Sequence, residues 1–201
     1  MNTARLELHG FETSNNIKVR VALGYKELEY AFHPVDPRER AGIVELSGQH
    51  LTPVLAHGDV VLFDSAAILR YLDANFPGTP KLFGSSRDEQ WEVEDWEFFG
   101  RTQLAGPMME VVHRRVSGGV VDDAMSARCA DEFAGSVEKL TARLAGREWL
   151  VGNALSAADI GAAAVLYRVQ QGALFELPPA VDLIAPWRDR VMAFDGPGRQ
   201  P

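Results

Sequence analysis

The chain of 201 residues contains a single cysteine, Cys129. One thiol excludes an intramolecular disulfide framework and a Cys-x-x-Cys redox pair. No apolar run approaches the roughly 18 residues of a membrane-spanning helix, and the opening MNTARLELHG has no apolar core of signal-peptide length. A cytoplasmic protein with no membrane partner is the expectation. Positive charge is also short: a net charge of −8 with no basic run argues against a nucleic-acid partner. A Walker loop is missing, as is a Gly-x-Gly-x-x-Gly after a strand. The five histidines, His9, His33, His50, His57 and His113, fall at no ligand spacing along the chain, so no metal site is expected.

What is present is an ordinary globular composition, 46% apolar and 24% charged, with length for one large domain or two small ones. The most informative stretch is SGQHLTPVLAHGDVVLFDSAAILRYL, residues 47–72. Thr52-Pro53 opens a short apolar strand, a His-Gly-Asp turn follows, and a second apolar run from Val60 to Phe63 ends at Asp64-Ser65, where cap-type residues start a helix. Ile68, Leu72 and Phe76 then recur every four residues on one face of that helix. Its N-terminus, with unpaired N–H groups and partial positive charge, points back toward the Thr-Pro corner, which makes the corner a candidate site for a small extended anion.

Upstream, residues 4–9 read as a strand ending at Gly10. Thr13-Ser14-Asn15-Asn16 then supply four consecutive cap-type residues before the helical IKVRVALGYKEL. Residues 28–35 read as a second strand, parallel to the first through this helical crossover, and RERAGIVELSG reads as a short helix. Pro77-Gly78-Thr79-Pro80 punctuates the chain strongly and marks a domain boundary.

Only helices are expected beyond it. One spans residues 87–113, with Trp91, Trp96, Phe98, Phe99 and Met108-Met109 read as core, and bends near Gly106-Pro107. A second spans 122–145 with Phe133, Val137, Leu140 and Leu144 on one face. A third starts at the capping box Ser156-Ala157-Ala158-Asp159, and a last one carries Trp187, Val191 and Phe194. Cys129 is expected to be buried and inert, His57 to be exposed in its turn, and His113 with Arg114-Arg115 to form a solvated helix end.

Together these segments resemble the glutathione transferase family. The Gln49-His50-Leu51-Thr52-Pro53-Val54-Leu55 segment resembles its cis-proline loop, and Asp64-Ser65 its acidic-Ser pair. Thr13 to Leu23 is similar to the Ser/Thr-x-Asn-x-x-Lys-Val-Arg segment of bacterial and plant-type members, and Ser156 to Asp159 resembles the family's C-terminal folding motif. The resemblance implies an α/β thioredoxin-like glutathione-binding domain over residues 1–78 and an all-helical domain over 87–201 that contributes the second-substrate pocket. It also implies a homodimer and a role in detoxification. Glutathione is the implied co-substrate. Its sulfur would be activated by a hydroxyl at Thr13, with Ser14 as the rival position and Asn15 matching the family's Asn. Its cysteinyl part would pair with Thr52 before Pro53, its γ-glutamyl end would meet Asp64 and Ser65, and its glycyl carboxylate would meet His50. Leu51 stands where the family commonly has Lys or Gln.

The implied activity is conjugation of the glutathione thiolate to an electrophilic, mostly apolar substrate. The Thr-x-Asn form also resembles members that reduce disulfides with glutathione, and the same fold serves elsewhere as a non-catalytic protein-interaction module.

Overall fold

The protein is described by a computed structural model covering residues 4–196. Two compact units emerge. The first comprises the chain to Phe83 together with the segment from Ala193, and the second runs from Gly84 to Met192. The division after Phe83 lies in the interval 79–86 between the two expected domains. The expected helical domain loses its last described residues, 193–196, to the first unit, while residues 1–3 and 197–201 of the two expected domains lie outside the described range.

In the first unit, β1 (Leu6–Gly10), α1 (Ser14–Tyr25) and β2 (Tyr30–Pro34) form a crossover unit with the two strands parallel. The short α2 (Ala41–Ser47) follows, then the antiparallel pair β3 (Val54–His57) and β4 (Val60–Leu62), and α3 (Ser65–Asn75). Strand order is β2-β1-β3-β4, with β3 antiparallel to β1. Alternation places Leu6 and Leu8 of β1 in the core, where they are buried with Ile17, Val21 and Leu23 of α1 and Ile68 and Leu72 of α3. Lys26, fully buried at the end of α1, donates to Asp73 of α3 at 3.2 Å and to the Pro80 carbonyl at 2.9 Å. Asp73 also accepts from the Leu82 amide at 2.7 Å, so one carboxylate fastens α1, α3 and the chain leaving the unit.

Contacts with α1 explain why residues 193–196 belong to the first unit. Helix α8 (Ala180–Met192) stops before Phe194, whose ring meets Tyr25 edge-on at 5.2 Å. Arg20 of α1 holds Asp195 through two bonds of 2.7 and 2.8 Å. An arginine fork that matches a carboxylate is a strong anchor for such a strand of coil.

The second unit is helical throughout its described residues. The expected single helix over residues 87–113 divides into α4 (Arg87–Phe99), a π-helical turn (Gly100–Leu104) and α5 (Ala105–Val116). The break lies one turn before the expected bend, because Pro107 lacks an N–H for the Gln103 carbonyl and its ring crowds that position, which falls inside the π turn. The aromatic stripe splits accordingly. Phe99 and Met108 are buried, whereas Trp91 and Phe98 are 62% and 55% exposed and so do not belong to the core.

Helix α6 (Asp123–Leu144) buries Phe133, Val137, Leu140 and Leu144 as their spacing predicts, along with Cys129. Helix α7 (Ala157–Gly172) is buried on all sides from Ala157 to Leu166, the signature of a central helix. Asp159 sits at its start with no exposed surface and accepts from the Leu150 and Ser156 amides, the Ser156 hydroxyl and Trp187 Nε1, all at 2.8–3.0 Å. Burial pushes its carboxyl above the usual range, opposed by these four donors.

Candidate functional site

The expected site residues sit at three chain turns of the first unit: the N-terminus of α1, the loop before β3, and the N-terminus of α3. Thr13 is the N-cap of α1 with extended backbone, and Ser14 is the buried first residue of the helix. Asp64 is the N-cap of α3 and accepts from the Ala67 amide at 2.8 Å, while Ser65 is buried as its first helical residue. The Thr52-Pro53 peptide bond is cis, as the resemblance implies.

Two asparagines connect these turns. Asn16, fully buried, gives one side-chain N–H to Thr13 Oγ1 at 2.7 Å and the other to Thr52 Oγ1 at 3.1 Å. Asn15, exposed, accepts from Ser65 Oγ at 3.4 Å and from Lys18 Nζ at 3.3 Å. Thr13, Thr52 and Ser65 are thereby held in one cluster at the start of two helices. Both helices exceed ten residues and aim the positive ends of their dipoles at it.

The sequence gives no reason to set Asn16 above Asn15, one position earlier, yet Asn15 carries the link to Ser65 and Asn16 the link to Thr13. The distinction appears in space at Gly10: a β-carbon there would lie 1.6 Å from Asn16 Oδ1, so glycine at the end of β1 is what admits the buried amide.

The hydroxyl of Thr13 is left in a particular state. Its oxygen accepts from both the Asn16 side chain at 2.7 Å and the Asn16 amide at 3.3 Å, which occupies its two lone pairs. Its own hydrogen has no acceptor among the described residues. A hydroxyl that accepts twice is polarised toward donation, and here it stands free to donate.

His50 and Leu51 lie on the exposed loop ahead of the cis bond. The Gln49 side chain bonds both backbone groups of Leu51, which fixes the loop without engaging the His50 ring. Arg40, which the sequence reading did not single out, donates to the His50 carbonyl at 3.0 Å and lies over the Phe11 ring at 5.0 Å. It brings a permanent cation beside His50.

The remaining expectations meet the structure unevenly. His57 is not exposed: it ends β3, is 3% accessible, bonds the Tyr71 hydroxyl at 2.8 Å and stacks on Phe76. The turn residues are Gly58 and Asp59, so His57 still obeys the inward alternation of the strand. His113 is exposed in the last turn of α5, and Cys129 is buried with its thiol pushed up by burial, both as expected. The absence of any metal-ligand spacing along the chain did not anticipate that Glu7, His9 and His33 come together in space.

Comparison with known proteins bears on the family and the fold. Residues 8–80 match the glutathione S-transferase N-terminal domain, and residues 106–195 match the glutathione S-transferase C-terminal domain. Glutathione S-transferase 3 of Zea mays is 30% identical over 168 residues, which cover 78% of this chain and 74% of the maize protein. Glutathione S-transferase GstB of Escherichia coli K12 is 27% identical over 183 residues, covering 82% of this chain and 83% of GstB. Among solved structures, a glutathione S-transferase III in its apo form superposes with a TM-score of 0.71 at 25% identity, over 96% of this chain and 90% of that one. With both halves matched and a relative similar over most of its length, the chain belongs to the glutathione S-transferase family.

Proposed function

We propose that the cluster at the starts of α1 and α3 binds glutathione and that Thr13 activates its thiol for attack on an electrophilic, mostly apolar substrate. The carrying observation is the free, twice-accepting hydroxyl of Thr13 at the cap of α1. A thiol with a pKa near 8.5 is mostly protonated at neutral pH, whereas the thiolate is the nucleophile. Lowering that pKa by about two units requires roughly 2.7 kcal/mol of preference for the anion. One hydrogen bond to a charged acceptor supplies about 1.5–3 kcal/mol and a helix N-terminus about 0.3–1 kcal/mol. Thr13 combines both, so no separate general base is needed and the thiol proton passes to water. The thiolate then forms a carbon–sulfur bond while the substrate's leaving group departs with its electron pair.

The remaining groups hold the tripeptide. At the start of α3, the helix amides receive the γ-glutamyl carboxylate together with the Ser65 hydroxyl, whose one hydrogen turns from Asn15 Oδ1 to the ligand on binding, and the Asp64 carboxylate receives its ammonium. Thr52 presents its backbone to the cysteinyl residue across the cis bond to Pro53. His50 and the neighbouring Arg40 serve the glycyl carboxylate. In this reading Asn15 positions Ser65, Asn16 positions Thr13, Ser14 fills the buried first turn, and Leu51 is spacing.

Conjugation kinetics with an activated aryl halide test this assignment. Thr13→Val should lower kcat/KM at neutral pH about ten- to a hundredfold, the loss of one charge-assisted bond, and Ser14→Ala should leave it near the wild-type value. A silent Thr13→Val with an inactive Ser14→Ala would move the activating hydroxyl to Ser14.

The reading also includes a cytoplasmic, detoxifying homodimer with two-fold symmetry. Exposed Phe63 in the first unit and Trp91 and Phe98 in the second are apolar side chains that such an interface would cover. A monomeric mass by light scattering at micromolar concentration would refute the dimer. Among the described residues no helix is long and apolar enough to cross a membrane.

A further inference from the structure

Glu7 and His9 stand two residues apart on β1 and therefore share a face of the sheet. Parallel register sets His9 beside His33 of β2, an edge strand. The three side chains converge as a result. Glu7 Oε2 is 3.2 Å from His33 Nε2 and 3.9 Å from His9 Nε2, and one ligand atom from each residue lies within 4.8 Å of the other two. The imidazoles stack at 4.5 Å between centroids. The His9 side chain is 20% exposed, and those of Glu7 and His33 are 46% exposed, so an ion can reach the cluster from solvent.

We infer that Glu7, His9 and His33 form a binding site for a divalent transition-metal ion of the zinc class, clipping edge strand β2 to β1. Two imidazoles and one carboxylate suit zinc, and three protein ligands leave a position for water. Calcium and magnesium prefer mainly oxygen ligands and fit this set poorly.

The distances are close to what ligation requires. Bonds of about 2.0–2.2 Å in a tetrahedral site put neighbouring ligand atoms about 3.3–3.6 Å apart. The two separations from Glu7 bracket that range. The stacked rings aim their lone pairs side by side, so one ring must turn. His33 is the freer of the two, and the torsion involved is a broad one. The site is separate from the proposed glutathione cluster and its existence does not depend on that reading. It would tether the β1 end that leads through Gly10 to Thr13.

The test uses the full-length, untagged chain. Calorimetric titration with zinc chloride should show one ion per chain in the wild type. Affinity should fall about tenfold or more in both His33→Ala and Glu7→Gln, since even outer-shell partners of a metal are worth that much. Cobalt(II) should give a visible absorption band that saturates at one equivalent and is lost in the same variants. Circular dichroism checks each variant's fold, and His33→Gln, which keeps side-chain bulk, replaces His33→Ala if that variant unfolds. No zinc binding by the wild type would overturn the inference and leave Glu7 and His33 a surface contact. Binding retained in both variants would overturn it too, placing the ion elsewhere.

Discussion

Replacing Asn16 by aspartate changes one atom of the buried network and reverses its polarity. The amide nitrogen that now donates to Thr13 Oγ1 at 2.7 Å and to Thr52 Oγ1 at 3.1 Å becomes an oxygen that can only accept. Thr13 would then turn its hydroxyl hydrogen toward the carboxylate and away from a bound sulfur. The first turn of α1 favours an anion at this position and full burial opposes it, and in its charged form the carboxylate competes directly with the thiolate. The loss is that of one charge-assisted hydrogen bond, about 1.5–3 kcal/mol, which at about 1.4 kcal/mol per decade is roughly ten- to a hundredfold in kcat/KM at neutral pH. In the pH profile of kcat/KM the same loss appears as a rise of about one to two units in the apparent thiol pKa, with activity recovering at higher pH. Asn16→Ala separates geometry from polarity. It removes two hydrogen bonds and about 1–3 kcal/mol of stability, yet leaves the Thr13 hydroxyl free to donate, so its thiol pKa should rise less. A folded Asn16→Asp protein with the wild-type pH profile would refute the reasoning.

Ser65→Ala and His50→Ala should raise KM for glutathione with kcat nearly unchanged, because both contacts would be the same in ground and transition states; steady-state kinetics with glutathione as the varied substrate check this. Asp159→Ala should destabilise the protein by about 3 kcal/mol or more in urea denaturation, since it strands the buried donors of Leu150, Ser156 and Trp187. Cys129 should resist a disulfide thiol reagent in the native protein and react as one thiol per chain in guanidinium. Burial raises its pKa in the folded state, so the folded chain holds the proton more tightly than the unfolded one, and this group's contribution makes stability fall as pH rises from the ordinary thiol value toward the folded one.

What the sequence made legible was local. Runs of cap-type residues before an apolar periodic stretch place the starts of α1 and α3, and the structure picks Thr13 from the four candidates at 13–16 and Asp64 from the pair at 64–65. The alternating runs gave the strands to within a few residues, and the face of α6 followed from its spacing. What stayed hidden depends on partners remote in the chain. Asn15 and Asn16 are indistinguishable as cap-type residues, and only the buried position against Gly10, with Thr52 within reach, singles out Asn16. His57 reads as a turn residue until Tyr71 and Phe76 of the next helix region supply its partners. The grouping of His9 with His33 is set by strand register, and no ligand spacing along the chain reports it. The return of residues 193–196 to the first unit rests on Arg20, far away in sequence.

The central claim is that the Thr13 hydroxyl stabilises the thiolate of bound glutathione, and the pKa of that thiol measures it most directly. Ultraviolet absorption of the thiolate, recorded against pH with glutathione bound, gives this value without any second substrate. The account predicts a bound-thiol pKa well below the free value in the wild type and a value about one to two units higher in Thr13→Val, one charge-assisted hydrogen bond expressed as a pKa. An identical bound-thiol pKa in the two proteins would contradict it.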